Sequence, residues 1–298
     1  MGFSTTTTEN VADAVRKAFN FSVDKFPLAG PDGMKTPMYG LFRSDSGKFV
    51  GRSAVSSQYV PHTSEDVLAL VEAAGSAFGG VADVQTDFRH GHRVAVQPTG
   101  EYRRSIYGTK DNVFPRLVID APYGGTGSFK GTLGFYRDAC SNLAMLRQVQ
   151  GTTVAIRHDS NLRSKMDELI ETFGTLHDNW SNLVEVIERM ESRDVNLRDF
   201  LESIYGDPSE LRGRAETIHR NRTEAIFRRV LRERDRTGRP QIGREFIVSG
   251  WEAYNAVQGY VQHDAPRRGK PTELARVIRA SRDAKVAQAE RLALAVTV

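Results

Sequence analysis

Between Leu162 and Met190, the residues Leu162, Met166, Leu169, Ile170, Phe173, Leu176, Leu183, Val184, Ile187 and Met190 recur on one stripe at helical spacing, and Trp180 extends it. The stripe predicts a helix of about thirty residues, roughly 45 Å long. Gly174 is tolerated inside it at a cost of about 1 kcal/mol. A rod of this kind cannot bury its own apolar face, so a sheet or another subunit must cover it.

The preceding stretch reads as that sheet. From Val81 to His158 the texture is one of strands and turns: VADVQTDF and RVAVQ alternate around Arg89-His90-Gly91-His92, a hairpin tip with its glycine in the turn. EYRRSIY, FPRLVID, SFKGTLGFY and TTVAIRH follow, each bounded by Gly, Pro or Asp, with a short helical piece around Leu143–Leu146. An antiparallel sheet of about four to six strands is expected.

Upstream, Pro27, Pro31, Pro37 and several glycines make residues 1–60 loop-rich, with short strands at Leu41–Arg43 and Ala54–Val60. Thr63 opens a helix whose first turn holds Glu65 and Asp66, and Gly79-Gly80 stops it. Downstream, helices are expected at Leu197–Tyr205, at Ser209–Asp235 with Ser209 as cap, around Trp251, Tyr254, Val257 and Val261, and from about Pro271. The fold class is α+β: an antiparallel β-sheet with a long helix packed across it, then a mainly helical C-terminal region. The expected segments are 1–60, 61–195 as the α+β core, and 196–298.

With 298 residues and 39% hydrophobic content the chain can bury a sizeable core. No apolar run is long enough for a membrane span. The polar start MGFSTTTTEN lacks the apolar stretch of a signal peptide, so a cytoplasmic location is expected. Cys140 is the only cysteine, which leaves no internal disulfide framework and no cysteine-rich zinc cage.

Charge is distributed unevenly. Arg212 to Arg244 holds eleven arginines against four acids, in a chain whose net charge is only +4. Forked guanidinium donors match phosphate oxygens, and neutralising a polyanion releases its counterions. The alternative is a solvated helix face, with Glu216, Glu224, Glu233 and Asp235 as neighbouring partners.

Catalytic signatures are weak by comparison. GGTGSFKG at Gly124–Gly131 matches neither the phosphate-loop nor the dinucleotide template, and it leads into a strand instead of a helix N-terminus. His90 and His92 offer half a metal site on one strand face, with no third ligand at a diagnostic spacing and with Arg89 and Arg93 repelling a cation. Cys140 and His158 would make a nucleophile–base pair, but a lone cysteine beside Leu143, Met145 and Leu146 reads as a small buried hydrophobe. No cofactor, metal or catalytic residue is assigned.

The sheet interleaves cations with aromatics. Arg89, Arg93, Arg103, Arg104, Lys110 and Lys130 alternate with Phe88, Tyr102, Tyr107, Phe114, Tyr123 and Phe129. Backbone neutralisation plus stacking faces is what a sequence-tolerant single-strand platform requires. The same aromatics also suit an ordinary sheet core. With Arg228, Arg229 and Arg232 added from the arginine-rich helix, these residues form the expected nucleic-acid-binding set.

Several segments together resemble the phage/plasmid-like family known as domain of unknown function 932. They are LFRSDSGKFVGRSAVSSQYVPHTSEDVLALVEAA, FYRDACSNLAMLR, VAIRHDSNL and WEAYNAVQGYVQHDAPR. The resemblance rests on Cys140 with Asn142, on Arg157 with His158, and on Trp251, Asn255, Ala256, Val257, Tyr260 and His263. It departs from the family pattern at the Gly124–Lys130 turn. The family carries no activity, and its members imply the DNA metabolism of a mobile element. The order of elements is also similar to phage single-strand annealing proteins of the Erf and Sak type, an analogy of architecture alone.

The expectation is therefore a non-enzymatic protein that binds single-stranded DNA and promotes annealing or recombination as a homo-oligomeric ring or filament, without a membrane partner. The alternatives are a structural or interaction factor of a mobile element and, least favoured, a metal enzyme using His90 and His92.

Overall fold

The computed structural model describes residues 8–295 except 52, 89, 100–101, 125–127, 138–141, 145, 147–152, 158–161 and 268. Its strands are β1 (Val23–Ala29), β2 (Lys35–Arg43), β3 (Val81–Phe88), β4 (Gly91–Pro98), β5 (Arg104–Ser105), β6 (Asn112–Pro122), β7 (Ser128–Arg137), β8 (Asn142–Ala144), β9 (Thr153–Arg157), β10 (Asp194–Asn196) and β11 (Ile247–Ser249). The helices are α1 (Thr8–Ala18), α2 (Ser64–Ala77), α3 (Leu162–Ser192), α4 (Leu197–Tyr205), α5 (Arg214–Thr237), α6 (Gly250–Gly259), α7 (Glu273–Ser281) and α8 (Ala284–Leu294). The main sheet has seven strands in the order β3-β4-β6-β7-β8, with β5 on β6 and β9 on β7. The class is α+β with a helical C-terminal region.

Two compact units divide the chain: residues 1–102, 115–133 and 151–179 form the first, and residues 103–114, 134–150 and 180–298 the second. Neither is a single run of chain.

In the first unit α2 begins as the sequence indicates. Thr63 Oγ1 accepts from the Asp66 amide at 3.1 Å, and the Asp66 carboxylate accepts from the Thr63 amide at 2.7 Å. This reciprocal cap satisfies two donors that the first helical turn leaves open. β3 and β4 form the expected hairpin, with Phe88 opposite His92. A Cβ on Gly91 would lie 2.1 Å from the Ala121 carbonyl oxygen, so only glycine lets β4 start against β6. The core gathers Val67, Leu70, Val71 and Phe78 from α2 with Val94, Val96, Leu117 and Ile119 from the sheet, and α1 adds Val15.

Two expectations need correction. The segment 1–60 is not chiefly loop: α1 and the β1–β2 hairpin occupy it. Residues 142–144 form β8 instead of a helical piece, because Asn142, Leu143 and Ala144 pair with Arg137, Tyr136 and Phe135. Among the described residues, α1 and α2 contact the sheet of this unit, and Ile170 and His177 of α3 pack against its core residues.

In the second unit the continuation of α3 buries Trp180, Leu183, Ile187 and Met190, as its stripe predicts. α4 spans the predicted residues, with the Asn196 side chain accepting from the Arg198 and Asp199 amides at 2.9 and 3.3 Å. Ser209 does not cap the arginine-rich helix. Asp207 caps a short 3-10 turn at Pro208–Glu210, and Gly213, at φ 60, breaks the chain before α5 starts at Arg214. α6 opens on a reciprocal cap between Ser249 and Glu252 and runs into a π-helical turn at Tyr260–Asp264. Among the described residues no helix is long and apolar enough to cross a membrane.

Candidate nucleic-acid interface

Of the expected sheet cations, Arg93 and Arg104 are engaged within the fold, whereas Arg103, Lys110 and Lys130 are exposed. In the first unit, Arg93 is 9% exposed and lies between Asp120 at 3.2 Å and Asp87 at 3.4 Å. Arg93 therefore drops out of the phosphate-contacting set, since its charge is neutralised where it is buried. Lys130 stays exposed, and Arg89 lies outside the described residues. The aromatic platform is corrected as well: Tyr123 and Phe129 are fully buried, so they have no face to offer a base.

His90 and His92 do not share a site. His92 is buried and hydrogen-bonds through Nδ1 to His62 Nε2 at 2.9 Å, whereas His90 Nδ1 lies 3.3 Å from the Val50 carbonyl. Phe19, Phe21, Phe88 and Tyr123 surround the His92 ring. Burial, and secondarily the nearby Arg43, hold its pKa down at about 3, so it is neutral under ordinary conditions. Among the described residues no three His, Cys, Asp or Glu side chains converge to hold a metal. Cys140, His158 and the tip of the glycine-rich turn at 125–127 lie outside the described residues.

In the second unit, Arg103 and Lys110 are exposed, whereas Arg104 reaches Glu191 at 2.5 Å and Glu188 at 3.3 Å. Arg104 is thus another correction, because its charge serves α3. The arginines of α5 sort by helix face. On the inner face, Arg234 forms a two-pronged pair with the fully buried Glu252, at 2.9 and 3.0 Å, and donates to the Pro240 and Ile247 carbonyls. Arg229 grips Asp264 in the same way, at 2.7 and 3.0 Å, and so it too leaves the expected binding set.

The outer face behaves differently. Arg220, Glu224, Arg228, Arg232 and Arg236 follow one another at four-residue steps, and all five are exposed. Each step advances about 6 Å along the helix. Arg228 and Arg232 direct Nε to the carbonyl one turn back, at 3.3 Å each. Among the described residues neither has a carboxylate within ion-pair distance. Arg228 and Arg232 from the expected set thus lie together, and Arg220 and Arg236, which the set omitted, extend their row. The four-residue spacing was the available signal.

Behind α5 runs a buried polar chain. Arg137 is completely buried, with Nε donating to Asp111 at 2.9 Å and Nη1 pairing with Glu233 at 2.6 Å. Asn255 donates to Glu233 at 2.6 Å, Asn142 donates to Asn255 Oδ1 at 2.8 Å, and His263 Nε2 meets Asn142 Oδ1 at 3.0 Å. Because Asn142 Oδ1 only accepts, His263 carries its proton on Nε2. Burial, then Arg229, holds the His263 pKa at about 4. Burial pushes the Glu233 carboxyl upward, and Arg137 opposes that shift. Gly259 makes room for the chain: a Cβ there would meet Arg229 Nη1 at 2.7 Å and Asn142 Nδ2 at 3.0 Å. Both carboxylates of this chain, Asp111 and Glu233, are held by Arg137.

The family described as Domain of unknown function (DUF932) matches residues 52–293. No curated protein matches the chain, and no solved structure does.

Proposed function

The chain belongs to the DUF932 family, and from that premise we propose that it binds single-stranded DNA along the outer face of α5. The supporting observation is the exposed row of Arg220, Arg228, Arg232 and Arg236, with Arg228 and Arg232 not neutralised by any described carboxylate. Guanidinium groups at regular steps suit a phosphate backbone, and their worth comes largely from counterion release. The reading is non-catalytic. A strand held by its phosphates keeps its bases available for pairing, which suits annealing or recombination in a mobile element.

The test is equilibrium binding of a labelled oligodeoxynucleotide over a range of salt. Binding should weaken steeply with salt, and Arg228→Ala with Arg232→Ala should lower the logarithmic salt slope by about one per arginine removed. Arg229→Ala should leave the slope nearly unchanged. Absence of binding at low salt, or a slope indifferent to the double substitution, rejects the proposal. Tighter binding of the matching ribo-oligonucleotide would overturn the assignment to DNA.

A second reading, an interaction protein, has one observation in its favour. Phe26, Met34, Met38 and Phe49, on or beside the β1–β2 hairpin, are 53%, 69%, 38% and 48% exposed. Exposed apolar side chains gathered on one hairpin suit contact with another protein surface, including a second copy in a ring or filament.

A further inference from the structure

Beside the arginine row the second unit carries an apolar groove of about 640 Å³ between α4, α5 and the chain around Phe246. Its lining includes Leu197, Leu201, Pro208 and Phe227, with Arg198 and Arg228 among the charged residues. The Phe227 and Phe246 rings stand 5.8 Å apart, inclined at 57°. The Arg198 guanidinium lies 3.7 Å from the centre of the Phe246 ring, over one of its faces. Phe246 has a φ of 56°, a conformation uncommon for a bulky residue and held by hydrogen bonds from its amide to Gly243 and from Leu197 to its carbonyl.

One polar side chain in the lining has an unmet need. His219 is 8% exposed, and its buried Nε2 has no hydrogen-bond partner among the described residues. A buried ring nitrogen left without a partner is costly unless an occupant satisfies it. Such an occupant needs a flat apolar body for the aromatic walls and a hydrogen-bonding edge for the imidazole. Glu202 and Glu224 balance Arg198 and Arg228 in the lining, so the part that enters is uncharged, while Arg228, which also stands in the exposed row, links it to an anionic chain outside.

We propose that the groove receives an unstacked nucleobase from the single strand whose phosphates lie on the arginine row. The base stacks on the Phe227 ring with Phe246 beside it, and its polar edge meets His219 Nε2. This inference rests on the α5 reading above and adds a base-accepting site to it. Stacking on an aromatic face is sequence-tolerant, since every base has such a face.

The experiment compares full-length protein binding to an oligodeoxynucleotide with its binding to a strand of equal length and charge made of abasic sites. The abasic strand should bind about tenfold more weakly, as expected from loss of one stacked base. Phe227→Leu and His219→Gln should remove most of that preference while leaving the salt slope in place. Equal affinity for the two strands overturns the base site and leaves the phosphate reading standing. A tenfold preference that survives both substitutions also overturns it, because the base then sits elsewhere. Failure of either strand to bind at low salt removes both proposals. The strand comparison uses the unaltered chain, so it holds even if a substitution impairs folding.

Discussion

His92 shows how far a single residue departs from its sequence appearance. Beside His90 it resembles half of a metal site, yet it is buried among aromatic rings with a pKa of about 3, against an ordinary value of 6.5. The unfolded chain therefore binds a proton that the folded chain refuses across that interval. This contribution to stability is fully present above pH 6.5 and is lost as pH falls toward 3, at about 1.4 kcal/mol per pH unit. His92→Gln should flatten that acid limb, and urea melts at a series of pH values check it. An unchanged limb would mean that His92 is not held neutral. At the same scale, charge type alone misleads: Arg228 and Arg229 are neighbours in sequence, yet one faces solvent and the other grips Asp264.

Among the elements, α5 has two faces with different tasks. Its inner face closes the second unit through Glu233, which joins Arg137 of β7 to Asn255 of α6. Glu233→Ala would leave a fully buried guanidinium short of a partner, and the expected loss is about 3–5 kcal/mol in chemical denaturation. A loss below about 1 kcal/mol would show that Asp111 alone suffices for Arg137. Most helices were legible in the sequence because caps and apolar spacing are local: the Thr63 cap, the α3 stripe and the span of α4 all depend on residues a few positions apart. α1 and the β1–β2 hairpin were hidden by their prolines and glycines, which read as loop before tertiary pairing is known. β8 was misread because pairing with β7, a non-local contact, overrides the helical propensity of Leu143 and Ala144. The candidate site was legible only in part. The arginine concentration stands out in sequence, whereas the partners Asp264 and Glu252 that remove Arg229 and Arg234 from it are far along the chain. The groove was invisible for the same reason, since Leu197, His219 and Phe246 come from separate segments.

For the whole molecule, the net charge of +4 says little about what a polyanion meets. Arg93, Arg104, Arg137, Arg229 and Arg234 are all neutralised within the fold, so attraction depends on where the cations left outside are gathered. Gel filtration separates the two functional readings. With a labelled oligonucleotide at low salt the protein should co-elute with the label, and Phe26→Ser with Met34→Ser should change the elution volume without releasing it. Co-elution abolished by the hairpin substitutions would instead tie strand capture to subunit contact.

Glu224 interrupts the file of guanidinium groups between Arg220 and Arg228, and it lines the mouth of the groove. A negative charge at that step repels a phosphate that would otherwise settle over the opening. If a strand binds as proposed, its backbone straddles that step and the uncharged part of a nucleotide faces the cavity there.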